Sequence, residues 1–242
     1  MAGNDRLIFD IGLHMGEDTD FYLKKGYEVV AVEANPSLAA FCRGRFEQHV
    51  RTGRLRILEG AVAPPDSAGK TRFFVNDKVS VWSTIDPAWV ARNAARGCES
   101  TEIEVDQLDM DGVFREFGIP FFLKIDIEGA DGLVLEALRG FQLRPQYISI
   151  EANTVNIPAL MQDLERLSQL GYRRYQLVAQ QNIKGMRIET RTLQGELLAH
   201  EFEEGASGVF GEDLNGVWTD LDTVAAAFSA PLHEWQDIHA SL

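Results

Sequence analysis

A glycine-containing loop, FDIGLHMG, follows the first apolar run of the chain and leads into an acidic helical turn. In α/β folds, nucleotides bind at this position, where the first strand ends and the first helix begins. The spacing departs from the dinucleotide pattern G-x-G-x-x-G, because His14 and Glu17 stand where two of its glycines belong. Glu17 and Asp18 would repel a pyrophosphate at the helix N-terminus, so the loop favours a cationic or zwitterionic ligand.

A second carboxylate, Glu33, ends the next predicted strand, at the separation of about 20 residues from Asp10 that ribose-binding acids show in such folds. There it could accept hydrogen bonds from two ribose hydroxyls. Adenosine that carries a positive sulfonium group would satisfy both this acid and the acidic loop. Taken alone, Gly12 and Gly16 could form only a tight turn, and Glu33 could be a solvated carboxylate. Because the two features lie on consecutive strand-helix units, we interpret them as one ligand site.

A third group of charges lies in the run LKIDIEG at residues 123–129. Alternation along a strand places Lys124, Asp126 and Glu128 on one side of it. Charges at the end of a buried strand are unfavourable unless they are paired or used in catalysis. An ion pair of Lys124 with a neighbouring carboxylate is the structural alternative to a catalytic role for Asp126 or Glu128.

Two further polar residues, Glu151 and Asn153, follow the next predicted strand. Adjacent strands lie about 4.8 Å apart, so these side chains could converge on one cleft with Asp126 and Glu128. Oxygen donors of this kind suit Mg²⁺, Mn²⁺ or Ca²⁺. Spacing does not define the geometry of oxygen ligands, so a divalent cation could bind there but no residue is assigned as a metal ligand.

His14 is the one histidine of five that lies on the candidate loop. It could orient the ligand or act as a base near neutral pH. The alternative is a loop histidine that caps the following helix. The four tryptophans are predicted to pack in the core or at the sheet edge: Trp82, Trp89, Trp218 and Trp235.

Short apolar runs alternate with segments of helical spacing, which is typical of a buried parallel sheet with crossover helices. The order of these elements predicts an α/β fold with a doubly wound, mostly parallel sheet. Strands are predicted near Leu7–Ile11, Glu28–Val32, Leu55–Leu58, Phe121–Ile125 and Tyr147–Ile150. Helices are predicted over Glu17–Lys25, from Pro36 to about Val50, over Ala130–Leu138 and over Ile157–Leu170.

Three stretches fall outside this alternation. Thr71–Val75 and Glu102–Asp106 predict an added pair of strands at the sheet edge. The glycine-rich stretch 183–215 is expected to be a functional or mobile loop. Phe228–Leu242 is expected to be a surface helix or a tail. Neither a repeat nor a linker divides the chain, so we expect one domain over residues 1–242.

The 242 residues include 23 basic and 37 acidic side chains, which gives a formal charge of −14. This charge makes nucleic acid and anionic membranes unfavourable partners, because both require a basic surface. Two cysteines outside any zinc pattern fit a reducing compartment, and the first residues lack the basic start and apolar core of a signal peptide. We therefore expect a cytoplasmic protein that binds small molecules, and its oligomeric state stays open.

Four stretches together resemble the FkbM family of S-adenosylmethionine-dependent methyltransferases, which have the Rossmann-like class I fold: DIGLHMGEDTDFYLKKG, VVAVEANP, LKIDIEGAD and ASGVFGEDLNGVW. The resemblance runs from about residue 6 to residue 220. It implies a reversed final strand, for which Gly216–Thr219 is the candidate, beside a strand near Tyr172–Val178. The family pattern often has Ala-Asn where this chain has Leu13-His14, which leaves the role of His14 open.

This resemblance also implies a set of cofactor contacts. His14 joins the set as a residue that could orient the ligand. The implied contacts are Asp10, Gly12, Gly16 and Thr19 at the methionine part, Glu33 at the ribose, Asn35 at the neighbouring rim, Ala61 at the adenine side, and Asp126 at the amino end and the methyl acceptor.

These observations predict methyl transfer from S-adenosylmethionine to a hydroxyl on a sugar or secondary metabolite. The enzyme would hold the acceptor oxygen in line with the methyl group and exclude water, with segment 183–215 as a lid. The alternative for this segment is an unstructured surface excursion. Asp126, Glu128 or His14 would take the hydroxyl proton, or a cation would assist. The rival functions are a non-catalytic module that keeps the adenosine site and an NAD-type oxidoreductase, which the failed glycine pattern disfavours.

Overall fold

The computed structural model describes residues 4–64, 69–76, 78–228 and 235–242. A seven-stranded sheet forms its centre, and helices pack on both faces. The strands are β1 Asn4–Ile11, β2 Glu28–Glu33, β3 Leu55–Glu59, β4 Ala61–Val62, β5 Lys70–Asn76, β6 Ser100–Leu108, β7 Pro120–Ile125, β8 Tyr147–Glu151, β9 Arg174–Ala179, β10 Arg187–Arg191, β11 Leu197–Glu201 and β12 Gln236–Ser241. The helices are α1 Glu17–Lys25, α2 Pro36–Arg45, α3 Glu47–Thr52, α4 Pro87–Ala95, α5 Met110–Phe117, α6 Asp131–Leu138, α7 Ile157–Leu170 and α8 Leu221–Ala227.

The central sheet has the strand order β3-β2-β1-β7-β8-β12-β9. Neighbours from β3 to β8 are parallel, whereas β12 runs antiparallel to both β8 and β9. The predicted doubly wound, mostly parallel α/β fold with a reversed strand is therefore confirmed. The strand order changes direction between β1 and β7, and such a switch point opens a crevice at the carboxyl ends of the strands.

Most of the predicted elements are present, and their bounds differ by a few residues. The helices α1 and α7 have the predicted bounds. The helix predicted from Pro36 to about Val50 is instead the pair α2 and α3, because the chain leaves the helical conformation at Phe46, where φ is −112° and ψ is 27°.

The reversed strand does not lie where the sequence predicted it. Thr219, within the candidate Gly216–Thr219, makes only an isolated bridge with Tyr175. β12 is the reversed strand, so the prediction of a surface helix or tail over Phe228–Leu242 is wrong for residues 236–241. Residues 229–234 of that prediction lie outside the described residues.

The composition of β12 explains why its pattern was missed. Its sequence, QDIHAS, has only two apolar residues, Ile238 and Ala240, and both lie in the main apolar core. Asp237 and His239 alternate with them and are also buried, at 2% exposure each. Buried polar residues carry no hydrophobic signal, so the run reads as a surface segment.

Strand alternation gives the sheet an apolar surface on each face. On one face, Phe9, Ile11 and Leu123 pack with α5, α6 and α7. On the other face, Ile8 and Phe122 pack with α1 and with side chains from the glycine-rich stretch. Within the described ranges, no helix has the length and apolar character needed to cross a bilayer.

The two predicted extra strands, β5 and β6, are present, but they belong to a small separate sheet and do not extend the edge of the central one. β5 pairs with β6 in antiparallel fashion, and the two-residue β4 pairs with β6 in parallel. Gly60 connects β3 to β4, and a Cβ atom built there would lie 2.7 Å from the carbonyl oxygen of Asp106. The chain therefore turns sharply at this point, which places Ala61 and Val62 beside the carboxyl end of the central sheet.

The glycine-rich stretch 183–215 is a folded element. β10 and β11 form an antiparallel hairpin within it. Phe21 of α1 packs against His200 and Phe202, with ring centroids 5.0 Å away in both cases. The alternative of an unstructured excursion is therefore wrong.

We expect Phe122→Ala to lower the free energy of unfolding by about 3–5 kcal/mol, because it leaves a cavity in a packed core. Phe122 is 1% exposed, and its ring is stacked on Phe210 with centroids 4.3 Å apart. Urea denaturation followed by circular dichroism measures the loss. The control is Leu197→Ala at a hairpin side chain that is 68% exposed, and its effect should stay within about 0.5 kcal/mol. A loss below about 1 kcal/mol for Phe122→Ala would contradict this packing.

Candidate active site

A cleft opens at the carboxyl ends of β1, β2 and β7, beside the switch point of the sheet. The loop after β1, the start of β4, the segment before α4 and the loop after β7 reach it, together with single residues from other parts of the chain. Its wall includes Gly12, His14, Glu17, Asp18, Glu33, Ala61, Phe73, Ser80, Ile85, Lys124, Asp126, Glu128, Gly205 and Trp235.

Lys124, the last but one residue of β7, is buried at the base of the cleft with 4% exposure. Its Nζ lies 3.4 Å from carboxylate oxygens of both Asp10 and Asp18, and 3.7 Å from Asp126. It also donates a hydrogen bond of 3.2 Å to the carbonyl oxygen of Gly12. Burial alone would lower the pKa of Lys124, but the three carboxylates hold it well above its usual value. The predicted ion pair is thus a buried cluster of one cation and three acids.

Gly12 allows the first loop to approach β7 closely. Its φ is +97°, and a Cβ atom built there would lie 2.0 Å from the carbonyl oxygen of Asp126. Any other residue would clash with backbone and would also be strained at this φ. The close approach brings the loop and Asp126 to the same wall of the cleft.

His14 connects the first loop to two other segments. Its backbone N–H donates to Glu33 Oε2 at 2.7 Å. Its ring Nδ1 lies 2.9 Å from Glu17 Oε1, and its Nε2 lies 2.8 Å from Ser80 Oγ. Because both ring nitrogens are hydrogen bonded, the imidazole is held as a bridge between the loop and the segment that precedes α4.

Two residues of this cleft have backbone conformations that are rare for residues other than glycine. His14 and Glu128 both have φ of +51°. Such conformations are strained, and they concentrate where a side chain must be aimed at a ligand. Their coincidence at one cleft supports a functional role for this wall.

Glu33 is held rigidly at the end of β2. Its two carboxylate oxygens accept hydrogen bonds of 2.7 Å from the backbone N–H groups of His14 and Asn35. Burial raises the pKa of Glu33 to about 7, even though these two bonds favour the ionised form. A carboxylate oxygen can accept more than one bond, so Glu33 keeps acceptor capacity toward the cleft.

The predicted site residues fall into two groups. Six of them line the cleft: Gly12, His14, Glu33, Ala61, Asp126 and Glu128. The other four lie behind this lining: Asp10, Gly16, Thr19 and Asn35. Thr19 Oγ1 donates to Asp10 Oδ2 at 2.6 Å, and the Asn35 side chain accepts from the Ser37 N–H and caps α2. Gly16, with φ of +85°, is the N-cap residue of α1.

Asp126, Glu128 and Glu151 converge, as the strand ends predicted. One carboxylate oxygen of each lies within 4.8 Å of those of the other two, which is a spacing that could hold a hard cation. Glu128 Oε2 and Glu151 Oε2 are buried and lack a hydrogen-bond partner among the described residues. Burial first, and then neighbouring acids, raise the pKa of both glutamates well above the usual value. The Asn153 side chain instead accepts a bond from the Asn156 N–H at 3.0 Å.

Several residues of the cleft were not predicted. Ser80, Phe73 and Ile85 reach it from the added sheet and the segment that follows, and Gly205 comes from the glycine-rich stretch. The His14 to Ser80 contact spans 66 residues, so no local pattern could indicate it. The acidic start of α1 was the one signal for Asp18, whose carboxylate accepts from the Ser207 N–H at 2.8 Å.

Residues 10–174 match the model of the methyltransferase FkbM domain, which is more than half of the chain. The chain belongs to the FkbM methyltransferase family. Its matched region includes the first loop, Glu33, Ala61, Lys124, Asp126, Glu128 and Glu151. No curated protein sequence matches the chain at a significant level.

Solved structures resemble this FkbM methyltransferase chain only weakly. A precorrin-6y C5,15-methyltransferase from Geobacter metallireducens GS-15 has 13% identity and a TM-score of 0.43, over 98% of this chain and 80% of that one. An O-methyltransferase from Bacillus cereus in complex with SAH has 11% identity and a TM-score of 0.42, over 98% of this chain and 73% of that one. These values are too low to carry an argument about function.

Lys124→Met should lower the free energy of unfolding of this FkbM-family protein by about 3–5 kcal/mol at pH 7, because it leaves buried carboxylates without their cation. The loss should shrink at pH 5. Burial raises the pKa of Asp18 to about 7, so at pH 5 this carboxyl is protonated and needs no cation. Urea denaturation at the two pH values measures the difference.

The matched control is Lys25→Met, which also removes a buried lysine. Its partner Asp213 has a side chain that is 34% exposed, so water can solvate the carboxylate that is left. This loss should be smaller and equal at both pH values. If Lys124→Met lost the same free energy of unfolding at pH 5 and pH 7, ionised carboxylates would not be what requires the ammonium.

Proposed function

We propose that this chain is an S-adenosylmethionine-dependent O-methyltransferase that acts on a hydroxyl of a sugar or secondary metabolite. The observation that carries the proposal is the acidic cleft at the switch point, with the fixed carboxylate of Glu33 at the end of β2. Membership of the FkbM family supports the class of reaction. Residues 1–242 would then work as one methyltransferase domain.

The charge of the cleft suits a cationic cofactor. Its wall includes five carboxylates: Glu17, Asp18, Glu33, Asp126 and Glu128. Within the described ranges, Lys124 is the only lysine or arginine that lines it. A positive sulfonium and ammonium group would therefore be favoured there, and a pyrophosphate would be repelled.

The shape of the cleft also suits the parts of this cofactor. We assign the ribose hydroxyls to Glu33 and the adenine to the apolar wall of Ala61, Phe73 and Ile85. The amino end would lie at Asp126. The four predicted residues that do not line the cleft support these contacts indirectly. They hold Lys124, α1 and α2 in place: Asp10, Gly16, Thr19 and Asn35.

S-adenosylmethionine, when bound, supplies a methyl group whose bond to sulfur breaks, with its electrons left on sulfur, as a bond to the acceptor oxygen forms. The chain must hold that oxygen in line, exclude water and take the hydroxyl proton. Glu128 is the best placed group for the proton. It lines the cleft, and its Oε2 is buried without a hydrogen-bond donor among the described residues, so its ionised form can accept the proton.

Other groups hold and cover the acceptor side. His14 positions Glu33 through its backbone N–H, and Glu17 and Ser80 through its two ring nitrogens. The segment 183–215 serves as a cover, with Gly205 in the wall of the cleft. The Asp18 carboxylate ties it to α1 through the Ser207 N–H.

Glu33→Gln should weaken S-adenosylmethionine binding about 10- to 100-fold, because hydrogen bonds to a charged group contribute about 1.5–3 kcal/mol. Isothermal titration calorimetry measures the change. The wild-type affinity should rise with pH up to about 7 and then level off, because the pKa of Glu33 is raised to about 7 and the ionised form is the better acceptor. Glu33→Gln should flatten this dependence.

Glu59→Gln is the matched control, because Glu59 is the register partner of Glu33 at the end of β3 but does not line the cleft. It should bind the cofactor as the wild type does. Equal affinities for Glu33→Gln and the wild type would exclude the ribose contact. A wild type that binds no S-adenosylmethionine would exclude the proposed function.

Glu128→Gln should slow methyl transfer about 10²- to 10⁴-fold and leave cofactor affinity unchanged, as expected when a general base is lost. The measurement is S-adenosylhomocysteine formation with a panel of sugars and hydroxylated aromatics. Glu136→Gln on α6, where the side chain is 54% exposed, should keep the full rate. Full turnover in Glu128→Gln would assign the proton to another group, and Asp126→Asn would be tested next.

A further inference from the structure

A second cavity of about 390 Å³ lies beside the cleft. Val81, Glu128 and Trp235 line both spaces, so the two are neighbours. Its wall further includes Trp82, Trp89, Arg92, Arg96 and Glu151. Three of the four tryptophans, which were predicted only to pack in the core or at an edge, thus form the wall of a cavity.

Two arginines in the wall of this cavity carry positive charge. The Arg92 guanidinium lies 4.5 Å from the ring centroid of Trp82 and 4.6 Å from that of Trp89. The Arg96 guanidinium lies 5.7 Å from the Trp82 ring. Stacking of this kind holds the plane of a guanidinium but leaves its N–H edge free for a carboxylate or phosphate.

Glu128 and Glu151 act on Arg92 through their charge, which raises its pKa. Within the described parts of the chain, neither Arg92 nor Arg96 forms an ion pair with a carboxylate inside 4.0 Å, and the one side-chain hydrogen bond of Arg92 goes to Asn93 Oδ1 at 2.9 Å. The chain has 37 acidic side chains against 23 basic ones, so two neighbouring arginines without such a partner are unexpected. Burial, and then Arg96, lower the pKa of Arg92 more than the two glutamates raise it.

The wall of this cavity also includes two buried acids, Glu128 and Glu151, whose side chains are hydrogen bonded to each other. Glu128 and Glu151 are 5% and 7% exposed, and one oxygen of each is without a partner among the described residues. Buried polar atoms of this kind are rare unless a ligand or water satisfies them. Glu128 also faces the cleft, whereas Arg92 and Arg96 line only the cavity. Glu128 therefore lies where the cavity meets the cleft.

We propose that this cavity binds the methyl acceptor, and that the acceptor is a hydroxylated ring compound that bears a carboxylate. Its hydroxyl lies at the glutamates, next to the cofactor site, and its carboxylate lies at the arginines. The tryptophan walls suit a ring, because aromatic side chains offer large rigid apolar surfaces. The proposal rests on the methyltransferase function proposed above and specifies its substrate class.

The test compares acids with neutral analogues of the same shape. Protein saturated with S-adenosylhomocysteine is titrated with 3,4-dihydroxybenzoate and 3,4-dihydroxybenzamide, and with glucuronate and glucose. In at least one pair, the acid should bind at least tenfold more tightly. Arg92→Gln should remove this advantage and leave the neutral analogue unaffected. Arg115→Gln, at an arginine side chain on α5 that is 67% exposed, should keep it.

Arg96→Gln is a second variant, at an exposed residue where substitutions usually change stability by less than about 0.5 kcal/mol, and it should weaken binding of the acid alone. Two results would show that the arginines only pack against tryptophan. One is equal affinity for the acid and the neutral probe, and the other is an equal loss of affinity for both probes in the arginine variants. The absence of binding by all four probes would also overturn the proposal. The titration uses protein that already binds S-adenosylhomocysteine, so a lack of probe binding would reject the acceptor site and not the cofactor site. A protein that binds no S-adenosylmethionine would instead reject the proposed function.

Discussion

The buried ammonium group of Lys124 determines how closely the segments of the candidate site approach one another. It attracts Asp10 from β1, Asp18 from α1 and Asp126 from the loop after β7. Carboxylates at such short range repel strongly in a buried setting, so the three segments could not meet there without a cation. The bond from Lys124 to the Gly12 carbonyl holds the first loop in position. The His14 N–H of that loop in turn holds the Glu33 carboxylate.

Several buried acids in and beside the site keep their protons near neutral pH. Burial raises the pKa values of Asp18, Glu33 and Asp131 to about 7, so the folded chain keeps protons that the unfolded chain releases near pH 4. These groups therefore make folding less favourable as pH rises from about 4 to 7. A cationic ligand would favour their ionised forms, which couples binding to proton release.

The ends of the strands could be predicted from the sequence, because apolar runs define buried strands. Since parallel strands end at one edge of the sheet, Glu33, Asp126 and Glu128 could also be predicted as site residues. The same reasoning did not show that Asp10 and Thr19 lie behind the lining, because spacing does not tell which side of a turn faces a cleft. β12 was missed because its buried residues are polar. The cavity beside the cleft was missed because its wall joins α4 to the loop after β7, over a separation that leaves no periodic signal.

The position of β12 between β8 and β9 has a consequence for the order in which the fold can be completed. β9 is synthesised before β12, yet its ladder to the central sheet runs through β12. Until residues 236–241 arrive, β8 has an unpaired edge and β9 has no route into the sheet, which is a state prone to mispairing. The strands β1, β2 and β7 that carry the site pair without it. A nascent chain can therefore pair the strands that carry Glu33 and Lys124 before it closes the sheet.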